Sequence, residues 1–195
     1  MSDHHLSYGK IVDYITGHLV EDTDDERARQ KIARFLTEEK GYLKADIHVQ
    51  RKISLLVDGN QAETAVDFII RMHGKSFAVV IFGPGSIVTR ERSTLASARL
   101  VENYQVPYAI ITNGKDAEIM ETQSGKVIAK GLHAIWHKTD AQNIHKGHIY
   151  QTVSDERKEK EKRILYVYEV LAEKECNEFK CTFCAPPVKQ DHSYD

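Results

Sequence analysis

Asp67 stands inside Val66-Asp67-Phe68-Ile69-Ile70, an apolar run that reads as a strand buried on both faces. A carboxylate taken out of water there is costly unless its charge is compensated, so the position calls for a metal ion, a cation or hydrogen-bond donors. Two readings meet that demand: a structural acid held by backbone amides or an arginine, and a vestigial metal ligand. Glu26 is a second candidate acid. It closes Thr23-Asp24-Asp25-Glu26, a capping-box pattern that would open a helix, and the cap explains it without any chemistry.

Cysteines form another constellation. All three lie in Cys176-Asn177-Glu178-Phe179-Lys180-Cys181-Thr182-Phe183-Cys184, with His192 beyond. Such clustering away from an oxidising compartment points to metal or redox chemistry rather than a structural disulfide. Thiolates of Cys176, Cys181 and Cys184 with the His192 imidazole would complete a tetrahedral zinc site. With a ligand from elsewhere the three would suit an iron–sulfur cluster, and ordinary free thiols are the plain alternative. His133, His137, His145 and His148 surround the lone Trp136, but no third ligand recurs at fixed spacing, so surface histidines in a loop are the simpler reading.

The elements that would position these residues follow from patterning. Leu6 to Leu19 carries Ile11, Tyr14, Ile15 and Leu19 at helical spacing and predicts a covering helix. The capped helix runs from Thr23 to about Lys40 with Ile32, Phe35 and Leu36 inward. A strand alternates from Ile47 to Val57, Asp58-Gly59-Asn60 turns it, and the Asp67 strand pairs through His73-Gly74-Lys75 with Phe77 to Phe82. Gly83-Pro84-Gly85-Ser86 breaks the chain before a helix from Thr89 to Tyr104. Strands at Val106 to Ile111, Ala117 to Met120 and Lys126 to Ile128 follow. The order αβββαβββ predicts an α/β fold with a mixed sheet flanked by helices. Ser154 to Glu173 reads as an added C-terminal helix, polar in its first half and striped in its second by Ile164, Val167, Tyr168 and Leu171.

Composition sets limits. The 195 residues, 41% hydrophobic and 29% charged, suit one ordinary globular domain with short additions. The segments expected are a helical extension (1–22), the core domain (23–138), a linker with the C-terminal helix (139–175) and the cysteine tail (176–195). No apolar run is long enough to span a bilayer, and MSDHHLSYGK lacks the apolar core of a signal peptide, so a cytoplasmic protein is expected. The formal net charge of -2 does not advertise nucleic-acid binding. Charge is uneven, however. Arg29 on the first helix and Arg90, Arg92 and Arg99 on the second are the candidate phosphate contacts.

Four stretches, ERARQKIARFL, VDFIIRMHGKSFAVV, GPGSIVTRER and VPYAIITNGKDAEIMETQSGKVI, resemble the N-terminal domain of type I restriction enzyme R subunits, within the PD-(D/E)XK restriction-endonuclease-like superfamily. The resemblance runs from about Asp25 to Ile135. It implies a Mg²⁺-binding site in which Asp67 matches the hairpin Asp and Glu26 the acid contributed by the first helix. The Glu-x-Lys that completes such a site falls on Ile81-Phe82-Gly83, and Ser93 and Ser97 stand where Gln-x-x-x-Tyr is expected. Losing the second acid and the lysine leaves one carboxylate for a cation that prefers several oxygens, with no fixed charge beside the phosphate. The expectation is therefore a nucleic-acid-binding or assembly module, as a homodimer or within a larger complex, without standard nuclease activity. Its rivals are a Mg²⁺-dependent DNA endonuclease with relocated residues such as Glu26 and Glu63, and a metal- or redox-responsive regulator acting through the cysteine tail.

Overall fold

The computed structural model describes residues 7–171. The N-terminal stretch expected as a helix is instead a β-hairpin, β1 (Lys10–Val12) paired antiparallel with β2 (Leu19–Glu21). Asp13 decides this locally. Its Oδ1 accepts from the amides of Ile15 (3.1 Å) and Thr16 (2.6 Å) and from the Thr16 hydroxyl (2.8 Å), which folds a turn where a helix would have continued. Gly17, at φ +76°, completes it in a conformation that glycine adopts without strain.

Helix α1 (Asp24–Arg34) starts at the expected Thr23 cap, whose hydroxyl accepts from the Glu26 amide at 3.1 Å, while the Glu26 carboxylate is engaged by Arg29 and Gln30. Asp24, Asp25 and Glu26 crowd its first turn and Lys31 and Arg34 its last, matching the helix dipole. A wider turn, Phe35–Glu39, extends it to Gly41. Three strands follow: β3 (Ile47–Val57), β4 (Asn60–Met72) and β5 (Lys75–Phe82). Then come α2 (Glu91–Leu100), β6 (Tyr108–Thr112), β7 (Ala117–Glu121) and β8 (Lys126–Lys130). The six strands form one sheet in the order β3-β4-β5-β6-β7-β8, parallel only between β5 and β6, where α2 makes the crossover. This is the expected α/β architecture, a mixed sheet flanked by helices.

Two cores lie against the sheet. Ile32 and Ala33 of α1 and Leu36 of the turn that extends it pack on Ile47, Phe68, Ile70, Val80 and Ile119. Leu95, Ala96 and Ala98 of α2 pack on Ile53, Leu55, Val66, Val79 and Ile111, together with Leu165 and Val170 from α4 (Asp155–Leu165) and the wide turn after it, Tyr166–Leu171. On β3, Ile47 and Val49 serve the first core but Ile53 and Leu55 the second; on β4, Phe68 and Ile70 serve the first and Val66 the second. Alternation along a strand should keep residues of one parity on one face. It inverts at Gln50, whose φ of +50° is left-handed, between the pairs Val49↔Phe68 and Arg51↔Val66. Asp67 lies at this inversion.

One more helix, α3 (Lys138–Lys146), occupies the stretch read from sequence as a histidine-bearing loop. His133 lies in a short preceding turn and His137 at the α3 N-cap, so the two do not share a helical face.

Candidate functional site

Asp67 is buried, 8% exposed, and its carboxylate is saturated by donors from three elements. Oδ1 accepts from Arg29 Nε of α1 at 2.7 Å and from Gln50 Nε2 of β3 at 3.1 Å; Oδ2 accepts from the Phe82 amide of β5 at 2.8 Å. The charge therefore receives both a guanidinium and a backbone amide, which is what burial of a carboxylate requires. Gln50 is the component that the sequence conceals. Its left-handed backbone carries a strain of about 1 kcal/mol or more, and nothing in a strand of alternating residues marks it.

Arg29 also bonds Glu26 Oε2 through its other arm, at 3.1 Å. Thus α1 supplies both the guanidinium and one of the two acids it binds, Arg29 and Glu26 being spaced three apart on the same helical face. Glu26 Oε1 accepts from Gln30 Nε2 at 2.6 Å, and the same amide reaches Asp13 Oδ2 of the hairpin turn at 2.8 Å. A continuous polar chain results, from Asp13 through Gln30, Glu26 and Arg29 to Asp67 and Gln50. Burial works against the charged form of Arg29, but the charges of Asp67 and Glu26 outweigh it and move the guanidinium's pKa upward. Burial likewise opposes the Asp13 carboxylate, and its bonds from Gln30 and the Thr16 and Ile15 amides outweigh that and hold its pKa below the ordinary value.

This donor set does not fit a divalent cation. Mg²⁺ takes near-octahedral oxygen ligands, yet both oxygens of Asp67 and both of Glu26 are already engaged by nitrogen donors. Position 81 offers an isoleucine in place of the acid. Among the described residues no group of three or more His, Cys, Asp or Glu side chains is arranged to hold a metal. The guanidinium of Arg29 pairs with both acids it bridges and offsets one of their two negative charges.

Asp67 and Arg29 line a cleft of about 360 Å³ with Gln50, Lys52, Glu63, Thr64, Ala65 and Glu169. Glu63 is occupied by an ion pair with Lys52. At the end of β5, Gly83 stands where the resemblance expects lysine, and its space is filled from another element. A Cβ at Gly83 would lie 2.5 Å from Arg90 Cδ and 3.1 Å from Arg90 Nε. The Arg90 guanidinium reaches Glu169 at 3.5 Å.

The four candidate nucleic-acid arginines are thus separated. Arg29 belongs to the polar chain at Asp67. Arg99 is buried at 7% exposure, bonded to Glu161 at 2.9 Å and to the Thr122 carbonyl at 2.7 Å, so it is committed to the interior rather than to a solvent-facing contact. Arg90 is partly exposed and Arg92 is exposed, both at the start of α2. Cys176, Cys181, Cys184 and His192 lie outside the described residues. No helix among the described residues is long and apolar enough to cross a membrane.

The family model for the type I restriction enzyme R protein N terminus matches residues 24–135. That segment opens on the first residue of α1 and closes just beyond β8, so it contains the whole αβββαβββ core and the Asp67 cluster. The β1–β2 hairpin, α3 and α4 lie outside it. No curated protein and no solved structure matches the chain. Over more than half its length, including the sheet and the crossover helix that organise it, the chain belongs to the family of type I restriction enzyme R protein N termini.

Proposed function

We propose that this chain is a nucleic-acid-binding module, or an assembly module, built on the R-protein N-terminal scaffold and lacking standard nuclease activity. The observation that carries the reading is Arg29 bridging Asp67 and Glu26. A nuclease of the PD-(D/E)XK type needs those acids free to bind Mg²⁺ and position water. Here both are engaged by a side chain covalently part of α1, and Ile81 and Gly83 supply neither the acid nor the lysine. An endonuclease with relocated carboxylates is the less supported alternative, because Glu26 and Glu63 are engaged with Arg29 and Lys52.

Backbone phosphate is the favoured contact because cations remain after hydrolytic ligands are gone: Lys52 of β3 lines the cleft, Arg90 meets Glu169 of its wall, and Arg92 is exposed two residues beyond Arg90 at the start of α2. Such binding is electrostatic and should weaken steeply with salt through counterion release. Fluorescence anisotropy with a labelled DNA duplex and the corresponding single strand, across a salt series, tests it. Salt-sensitive binding reduced by Arg92→Glu is the expected result. A chain that binds neither DNA at low salt would leave the assembly role alone standing.

A further inference from the structure

We infer that Arg90, which borders the cleft through Glu169, is its phosphate-contacting cation and that Glu169, borne by the wide turn after α4, occupies it as an internal competitor in the free chain. The inference rests on the nucleic-acid reading above and assigns that reading its contact and its regulation.

The course of the Arg90 side chain is the first observation. It passes through the volume that any side chain at Gly83 would enter, since a Cβ there would clash with Arg90 Cδ at 2.5 Å and approach Ile111 Cδ1 to 3.4 Å. The Gly83 amide is fixed by the Thr112 carbonyl at 2.9 Å, so the backbone does not retreat to make room. The glycine that removes a lysine from the strand thus opens a passage for an arginine from the helix. Arginine presents a planar fork suited to phosphate oxygens.

The second observation is what that guanidinium meets. Glu169 lies 3.5 Å away, and the side chains of Arg90 and Glu169 are 37% and 26% exposed. The contact is long and open to water, unlike the Arg29 bond to Asp67 at 2.7 Å or the interior Arg99 bond to Glu161 at 2.9 Å. A pair of this kind is weak and exchangeable. Glu169 also lines the cleft that holds Arg29, Lys52 and Asp67, so its carboxylate lies where an entering phosphodiester would place its anionic oxygens. The helix needs no detachment for exchange. Leu165 and Val170 are buried and Glu161 anchors α4 elsewhere, so release of Glu169 requires only a side-chain movement.

The test uses the full chain and the labelled DNA of the binding experiment. Glu169→Gln should tighten binding about threefold to fivefold at low salt, the scale of one exposed ion pair, and steepen the salt dependence by about one charge. The gain should vanish in Arg90→Gln/Glu169→Gln, which should bind no tighter than Arg90→Gln. Glu159→Gln, removing an exposed acid on α4 itself, should leave the affinity unchanged. Salt-sensitive binding by the parent chain with no response to Glu169→Gln would overturn this inference and spare the functional reading. An equal gain from Glu159→Gln, or a gain that survives loss of Arg90, would also overturn it. Failure of every variant to bind DNA would sink both this inference and the nucleic-acid half of the functional reading, leaving only the assembly role.

Discussion

Arg29 holds two carboxylates that would otherwise repel each other across the α1–sheet junction. Removing it leaves Asp67, with a side chain only 10% exposed, without its countercharge. Breaking a fully buried pair costs about 3 to 5 kcal/mol; since 26% of the Arg29 side chain is solvent-accessible, Arg29→Ala should cost about 2 kcal/mol in urea unfolding. Arg29→Ala/Asp67→Ala should lose less than the sum of the single changes, because the second substitution removes the orphaned charge. Strict additivity would show that the bond contributes nothing. At this scale the sequence was partly legible. A carboxylate amid Val66, Phe68 and Ile69 demands a partner, and that demand could be read; Arg29 as the partner could not, because the bond spans 38 positions.

Among the elements, α2 carries the clearest pH dependence. Glu91, its first residue, is partly buried beside Glu118 of β7; burial first, then the hydrogen bond and charge of Glu118, push its carboxyl pKa up, while Lys130 pulls it back. A carboxyl whose folded pKa lies above its unfolded value binds the proton more tightly when folded. Its contribution is complete below the unfolded value, about 4.3, and is lost as pH rises through the raised one. Thermal melts from acid to neutral pH should therefore show Glu91→Gln with a flatter dependence and a higher midpoint near neutrality than the parent. Parallel curves would exclude the repulsion. The order of sheet and crossover helix was legible in the apolar runs and their glycine breaks. The β1–β2 hairpin was not, because Ile11, Tyr14 and Ile15 keep helical spacing while Asp13 withdraws the amides that a helix would use. Helix α3 was obscured for a similar reason, its histidines and polar residues leaving only Ala141 fully buried.

For the molecule as a whole, α4 is integral although it lies outside the family-matched segment. Glu161 is completely buried and accepts from both Arg99 and Arg157, while Arg99 continues to the Thr122 carbonyl at the end of β7. The helix, the crossover helix and the sheet are thereby joined through one guanidinium. Glu161→Ala should cost about 3 kcal/mol, since it strands a buried arginine, and unfolding should remain a single cooperative transition rather than splitting off α4. A separate early transition for the helix would contradict this. The α4 pattern itself could be read from its stripe, but its charged first half looked like a solvated face. Glu161, the one acid that turns inward, resembles its neighbours Glu156 and Glu159 in every local respect.

The most direct measurement is cleavage. Purified full-length chain and its Asp67→Ala variant are incubated with supercoiled plasmid and with single-stranded DNA in Mg²⁺ and in Mn²⁺, and nicking is followed by gel. With Arg29 bridging Asp67 and Glu26, and with Ile81 and Gly83 in place of the acid and lysine, the two proteins should be indistinguishable. Metal-dependent nicking by the parent chain that Asp67→Ala abolishes would mean that Arg29 yields the site to a cation, and the reading of a silent nuclease scaffold would be wrong.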